Sequence, residues 1–148
     1  MSSEENTAKI EAGFAFVNER NIDGFLSLLE PEFKLNLIMK PDMLQQAHGT
    51  LQGPDGFRYY LNLLYTAFPD YLMQQVSIRA HGNMVYQEIV IRGNHLGDFV
   101  LPNGIKIPPT RMKIEIPVEV YHTFDADGRF LSSTGYANLI DVVKQFKL

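Results

Sequence analysis

Residues Gly53 to Asp70 read GPDGFRYYLNLLYTAFPD, and this stretch constrains the fold more than any other. Phe57, Tyr60, Leu61, Leu64 and Phe68 fall at i, i+3, i+4, i+7 and i+11, so the spacing predicts a helix with one face apolar over about three turns. Pro69 stops that helix, because proline removes a backbone donor and clashes with the turn before it. Beyond Pro69 the sequence alternates in the manner of strands. A helix with a single apolar stripe must bury it, and the sheet that follows offers the surface.

Four strand-like segments come after Pro69: Leu72 to Ala80, Met84 to Phe99, Arg111 to Phe124, and Arg129 to about Asn138. In the third, Met112, Ile114, Ile116, Val118, Val120, His122 and Phe124 share one face, while Lys113, Glu115, Glu119, Tyr121 and Thr123 alternate with them. Asp125 to Gly128 suits a tight hairpin turn and lacks the further oxygen ligands of a calcium loop. Upstream, Ser2 and Glu5 have capping-box spacing, and Ile10, Phe14 and Val17 place an apolar stripe on a first helix ending near Asn21. Asp23 is expected to cap a short second helix through Leu29, limited by Pro31. Phe33 to Met39 reads as a strand, Lys40 to Gly53 as an irregular loop, and Asp141 to Leu148 as a closing helix. Helices first and strands afterwards, without linker or repeat, predict one α+β domain over residues 1–148.

With 148 residues, 45% of them hydrophobic, and ten phenylalanines and seven tyrosines, the chain can bury about two-thirds of its unfolded surface in one core. A net charge of -4 without a lysine and arginine cluster argues against a nucleic-acid partner. There is no cysteine, so disulfides, thiolate metal sites, iron–sulfur clusters and a cysteine nucleophile are excluded. The acidic start, MSSEENTAKIE, is unlike a secretory signal, and no apolar run approaches the roughly 18 residues of a membrane span. A cytoplasmic protein with no membrane partner is the expectation. The four histidines show no metal-binding spacing, and no Gly-x-Ser-x-Gly nucleophile elbow occurs, so no metal and no serine nucleophile are expected.

Several short elements follow one another in a particular order: Phe68-Pro69-Asp70, then Gly93-Asn-His-Leu-Gly97, Ile107-Pro-Pro-Thr110, Asp127-Gly128 before the last strand, and Gln145 near the end. Together they resemble the SnoaL-like polyketide cyclases of the nuclear transport factor 2-like superfamily. The resemblance implies a cone-shaped α+β fold, with N-terminal helices packed on a strongly curved, mainly antiparallel sheet around a pocket. It also implies an intramolecular aldol ring closure without metal or organic cofactor, in which an aspartate on the last strand removes a proton and hydrogen-bond donors hold the enolate. Counting forward from Asp127-Gly128 and back from Gln145 puts Asn138 at the place of that aspartate, and Thr134 at that of a tryptophan before it. An amide does not accept a proton at neutral pH, so general-base assistance worth roughly 10²- to 10⁴-fold is missing there.

By alternation Phe130, Ser132, Thr134, Tyr136 and Asn138 share a face of the last strand, and the resemblance turns that face toward the pocket. Tyr60, Leu64, Phe68 and Phe99 are then further lining residues, with His48 at the rim. His95 lies between Gly93 and Gly97, whose missing side chains leave room for a ligand or mark a bulge. His122 is either a satisfied core residue or an imidazole that titrates near neutrality. His95, Asn138 and His122 are thus the candidate catalytic groups. Two functions fit: a cofactor-free cyclase or isomerase that moves a proton on a small hydrophobic carbonyl compound, and a ligand-binding or interaction domain that has the cone without the base. A small hydrophobic molecule is the expected partner on the first reading and on the ligand-binding form of the second. Family members commonly pair through the sheet, so a homodimer is also expected.

Overall fold

A computed structural model describes residues 3–40, 49–100, 104 and 106–147. Helices α1 (Ser3–Asn18) and α2 (Ile22–Leu26) lead into strand β1 (Leu29–Lys40), then β2 (Gly49–Gln52) and α3 (Gly53–Ala67). The long strands β3 (Leu72–His81) and β4 (Met84–Asn94) follow, then the short pair β5 (Phe99–Val100) and β6 (Lys106–Ile107). Strands β7 (Lys113–Phe124) and β8 (Phe130–Asn138) and helix α4 (Leu139–Phe146) complete the chain. Six strands form one sheet in the order β2-β1-β8-β7-β4-β3, antiparallel throughout except for the parallel β1–β8 pair. Helix α1 lies against β3 and helix α3 against β1, so the helices cover the apolar face of the sheet.

The periodicities of α3 and β7 translate directly into burial. Phe57, Leu61, Leu64 and Ala67 are the buried positions of α3, and Ile114, Ile116, Val120, His122 and Phe124 those of β7. Asn21, and not Asp23, caps α2, its side chain accepting from the Gly24 N–H at 2.9 Å. That helix stops at Leu26 and not at Leu29, because the next residues join the sheet: Leu28 O accepts from Phe130 N at 2.9 Å and Leu29 pairs with Phe130. The expected loop after Lys40 holds β2 at its end, whereas residues 41–48, His48 among them, lie outside the described residues.

The end of α3 is clasped to the end of β4. The Ala67 carbonyl accepts from the N–H groups of both Leu96 and Gly97, at 3.0 and 3.1 Å. The two oxygens of Asp70 accept from the backbone N–H and the side-chain amide of Asn94, at 2.7 and 2.6 Å. Arg20 donates to the carbonyls of Tyr71 and Pro69 at 2.9 and 2.8 Å and lies over the Tyr65 ring at 4.2 Å. This contact explains both motif glycines. A Cβ at Gly93 would stand 2.8 Å from the Phe68 Cβ, and one at Gly97 would stand 2.0 Å from the Thr66 carbonyl oxygen. The space that they leave is filled by the helix end, not by a ligand. The same contact ends β4 at Asn94, well before Phe99, because the chain leaves the sheet to reach Ala67.

Strand β8 departs from simple alternation. Thr123 pairs with Ser132 but Phe124 pairs with Phe130, so Leu131 is an extra residue on β8 and the strand faces are exchanged beyond it. Phe130, Ser133 and Gly135 are consequently buried, while Leu131 is exposed. Gly97→Ala is expected to open the clasp and cost at least about 3 kcal/mol, since the contact is with backbone and no side chain can yield. Urea unfolding measures this, and a loss below about 1 kcal/mol would contradict it.

Candidate functional site

The helices and the sheet enclose a cavity of two joined chambers. The outer one, about 290 Å³, lies between α3 (Tyr60, Leu64), the clasp residue Phe68, Phe99 of β5, and the inward residues of the sheet, including Val118, Gly135 and Ala137. The inner one, about 100 Å³, reaches toward α1 and is bordered by Tyr71, Gln87, His122 and Ser133. Leu37, Tyr60, Leu64, Ile91, Val118 and Gly135 border both. Among the described residues no carboxylate, lysine or arginine lines either chamber.

The polar groups of the inner chamber form an ordered relay. Gln87 donates through Nε2 to Gln75 Oε1 at 2.9 Å, which leaves Gln87 Oε1 to accept from His122 Nε2 at 3.1 Å. The proton of a neutral imidazole is thereby placed on Nε2, and Nδ1 accepts from the Ser133 hydroxyl at 2.7 Å. Burial pushes the His122 pKa down to about 3. Such a ring is a weak base, and both of its nitrogens are occupied.

Two tyrosines complete this end. Burial pushes the Tyr60 hydroxyl up to about 12, and burial, with Tyr60 and Tyr65 nearby, holds the Tyr71 hydroxyl well above its ordinary value. Both are therefore protonated donors over the whole accessible pH range. Neither hydroxyl has a hydrogen-bond partner among the described residues, in contrast to Tyr65, which donates to Val17 O at 2.7 Å.

The candidate catalytic groups occupy three separate environments. His122 borders the inner chamber. His95 is fully buried in a cage of Phe68, Phe99 and Phe146, with ring centroids 5.6, 6.4 and 5.0 Å away. Its Nδ1 accepts from the Thr110 N–H at 3.2 Å and faces the Thr110 hydroxyl at 3.0 Å, so the proton sits on Nε2, which has no partner among the described residues. Burial lowers its pKa, with the Gly97 and Ile107 backbone pulling the other way. The motif histidine thus ties the Pro-Pro-Thr segment to the clasp, and Phe68 and Phe99 stand between it and the cavity.

Asn138 lies at the exposed start of α4, where its Oδ1 caps the helix by accepting from Ile140 N and Asp141 N at 2.9 and 3.1 Å. The exchange of faces after Leu131 carries Thr134 and Tyr136 to the outer side of the sheet, where Thr134 Oγ1 accepts from Asn36 and Tyr136 packs on Tyr121. Neither faces the cavity as alternation had placed it; the inward positions are Ser133, Gly135 and Ala137. Tyr60, Leu64, Phe68 and Phe99 do line the outer chamber. Gln87, Tyr71 and Ser133 are site residues that the sequence reading did not select. Gln87 carried a signal, a polar side chain alternating with Val85 and Ile89 on one face. No group of three or more potential metal ligands occurs among the described residues, and no helix among them is long and apolar enough to cross a membrane.

N-terminal helices packed on a large, mainly antiparallel curved sheet make this the α+β fold of the SnoaL-like, nuclear transport factor 2-like class. The chain belongs to the SnoaL-like domain family, whose model matches residues 10–132. Among solved structures it is similar to AclR from Streptomyces galilaeus, a proposed hydroxylase, with TM-score 0.76 and 18% identity over 99% of each chain. It is also similar to a proposed polyketide cyclase from Xanthomonas campestris pv. campestris, with TM-score 0.76 and 20% identity over 97% of this chain and 98% of the other. A third is TerC, co-crystallised with polyporic acid, with TM-score 0.69 and 16% identity over 97% of this chain and 99% of the other. No curated protein sequence matches the chain.

The buried His122 makes stability depend on pH with a definite sign. Its folded pKa lies below the unfolded value of about 6.5, so only the unfolded chain takes up the proton, and stability drains away as the pH falls from about 6.5 toward 3. Between pH 7 and pH 5 the wild type is expected to lose about 2 kcal/mol more than a His122→Asn variant, by urea unfolding at each pH. Identical pH profiles would show that the imidazole is not held neutral.

Proposed function

We propose that this protein takes a small hydrophobic molecule into the cone and holds it there, with the polar inner chamber at the deep end. The observation that carries this reading is the cavity itself: an apolar outer chamber opening into an inner one where buried hydrogen-bonding groups are gathered. TerC, which shares the fold, supports it by its co-crystallisation with polyporic acid. At Gly135 an added Cβ would meet only Val118 Cγ1, at an ordinary 3.6 Å, so a larger side chain there enters the cavity without breaking the sheet. Gly135→Leu is therefore expected to retain the wild-type melting temperature and to lose at least about tenfold in affinity for bicyclic aromatic ketones, a cost of roughly 1.4 kcal/mol by calorimetry. Unchanged affinity in a folded Gly135→Leu protein would place binding elsewhere.

A second reading is favoured by one specific observation, the two cavity-lining tyrosines whose hydroxyls have no hydrogen-bond partner among the described residues. On this reading the protein is a cofactor-free cyclase or isomerase: a base removes a proton from the carbon beside a carbonyl, and the donors hold the enolate oxygen. His122, with its low pKa and occupied nitrogens, and Asn138, engaged as a helix cap, are poorly suited as that base. Exchange of α-hydrogens for deuterium in the same ketones separates the two readings: acceleration by the protein supports catalysis, and its absence alongside binding supports a carrier or sensor. The outer sheet face, where Tyr86, Tyr121 and Tyr136 form a ladder at 5.0 and 5.8 Å spacings, is the surface we propose for a homodimer. Sedimentation as a monomer at high concentration would refute it.

A further inference from the structure

Resting on the binding reading above, we propose that Tyr60 and Tyr71 form a two-donor anchor for one uncharged carbonyl oxygen on an otherwise apolar ligand. Both side chains border the inner chamber, and Tyr60 stands where the two chambers join. Tyr71 is 3% exposed, so its hydroxyl is withdrawn from bulk water, and neither hydroxyl meets a hydrogen-bond partner among the described residues. The other polar groups of the chamber are committed differently. The Ser133 proton points to His122 Nδ1, the His122 Nε2 proton to Gln87 Oε1, and the Gln87 amide donates to Gln75. With the second amide hydrogen of Gln87, the tyrosine O–H groups are the donors left over, and a donor that faces an apolar cavity gains a partner when a ligand brings an acceptor.

The charge of the preferred ligand follows from the same lining. With no lysine or arginine bordering either chamber among the described residues, a carboxylate would be desolvated without a counter-charge. A ketone or aldehyde oxygen accepts two hydrogen bonds through its lone pairs and brings no charge. Tyr71 follows the Phe-Pro-Asp stop directly, and its backbone carbonyl is held by Arg20, so the clasp also fixes one of the two donors. The chamber volumes suit this division, with room in the outer one for a flat ring system and in the inner one for little more than the oxygen-bearing end.

The test compares three probes of similar size, 2-acetylnaphthalene, 2-ethylnaphthalene and 2-naphthoate, on the wild type, Tyr60→Phe, Tyr71→Phe and the double variant. The expected result is that the wild type binds the ketone at least about tenfold more tightly than either other probe, as expected for two hydrogen bonds. The double variant should bind the ketone and the hydrocarbon equally. The carbonyl stretching frequency of bound 2-acetylnaphthalene should lie lower in the wild type than in either single variant, a readout that a merely structural role for the tyrosines would not move. Equal wild-type binding of ketone and hydrocarbon would overturn the anchor and leave the binding reading standing. Naphthoate bound as tightly as the ketone would overturn it as well. Failure of the wild type to bind any of the three would defeat both.

Discussion

The structure depends on the clasp between the end of α3 and the end of β4. One carbonyl, that of Ala67, accepts two backbone N–H groups, and Asp70 reaches back to hold Asn94 at two points. Each such bond contributes about 1 kcal/mol net, but their geometric effect is larger, because they set how α3 lies across the mouth of the sheet. Phe68, Tyr60 and Leu64 face the cavity only while that helix is held in place. His95 extends the clasp by one more layer, fastening Thr110 and the segment before β7 behind an aromatic wall. Three motifs distant in the chain thereby become a single joint.

The chemistry of the cavity follows from what this joint leaves inside. The outer chamber is walled mainly by aliphatic and aromatic groups, and the inner one gathers a neutral histidine, a glutamine, a serine and two tyrosines into a small volume. Burial pushes every titratable member toward its uncharged form: the imidazole down, the phenols up. The selection proposed above, by shape and by hydrogen bonding to neutral oxygen, rests on this uncharged lining, whose residues are ill matched to the role of an ionised base.

Much of the architecture was legible because two periodicities are unusually clean. The apolar stripe of α3 and the alternation of β7 each identified the buried face, with Tyr60 and Val118 partly buried on it and only Met112, which lies before β7, exposed. The last strand was misread for a physical reason: Leu131 adds one residue between Phe130 and Ser132, and a single insertion exchanges every side chain beyond it between faces. Thr134, Tyr136 and Asn138 therefore left the cavity, while Ser133 entered it. The glycines around His95 suggest either space for a ligand or a bulge, whereas the occupant is the end of a helix nearly thirty residues earlier, a contact that local sequence does not reveal. Gln87 was readable in principle, as a lone polar residue on an inward strand face.

The most direct test is a high-resolution crystal structure of the protein with 2-acetylnaphthalene. The expected result is density for the ring system in the outer chamber, with the ligand oxygen about 3 Å from the hydroxyls of Tyr60 and Tyr71. A cavity closed by side chains, or the ligand bound only on the outer face of the sheet, would contradict it.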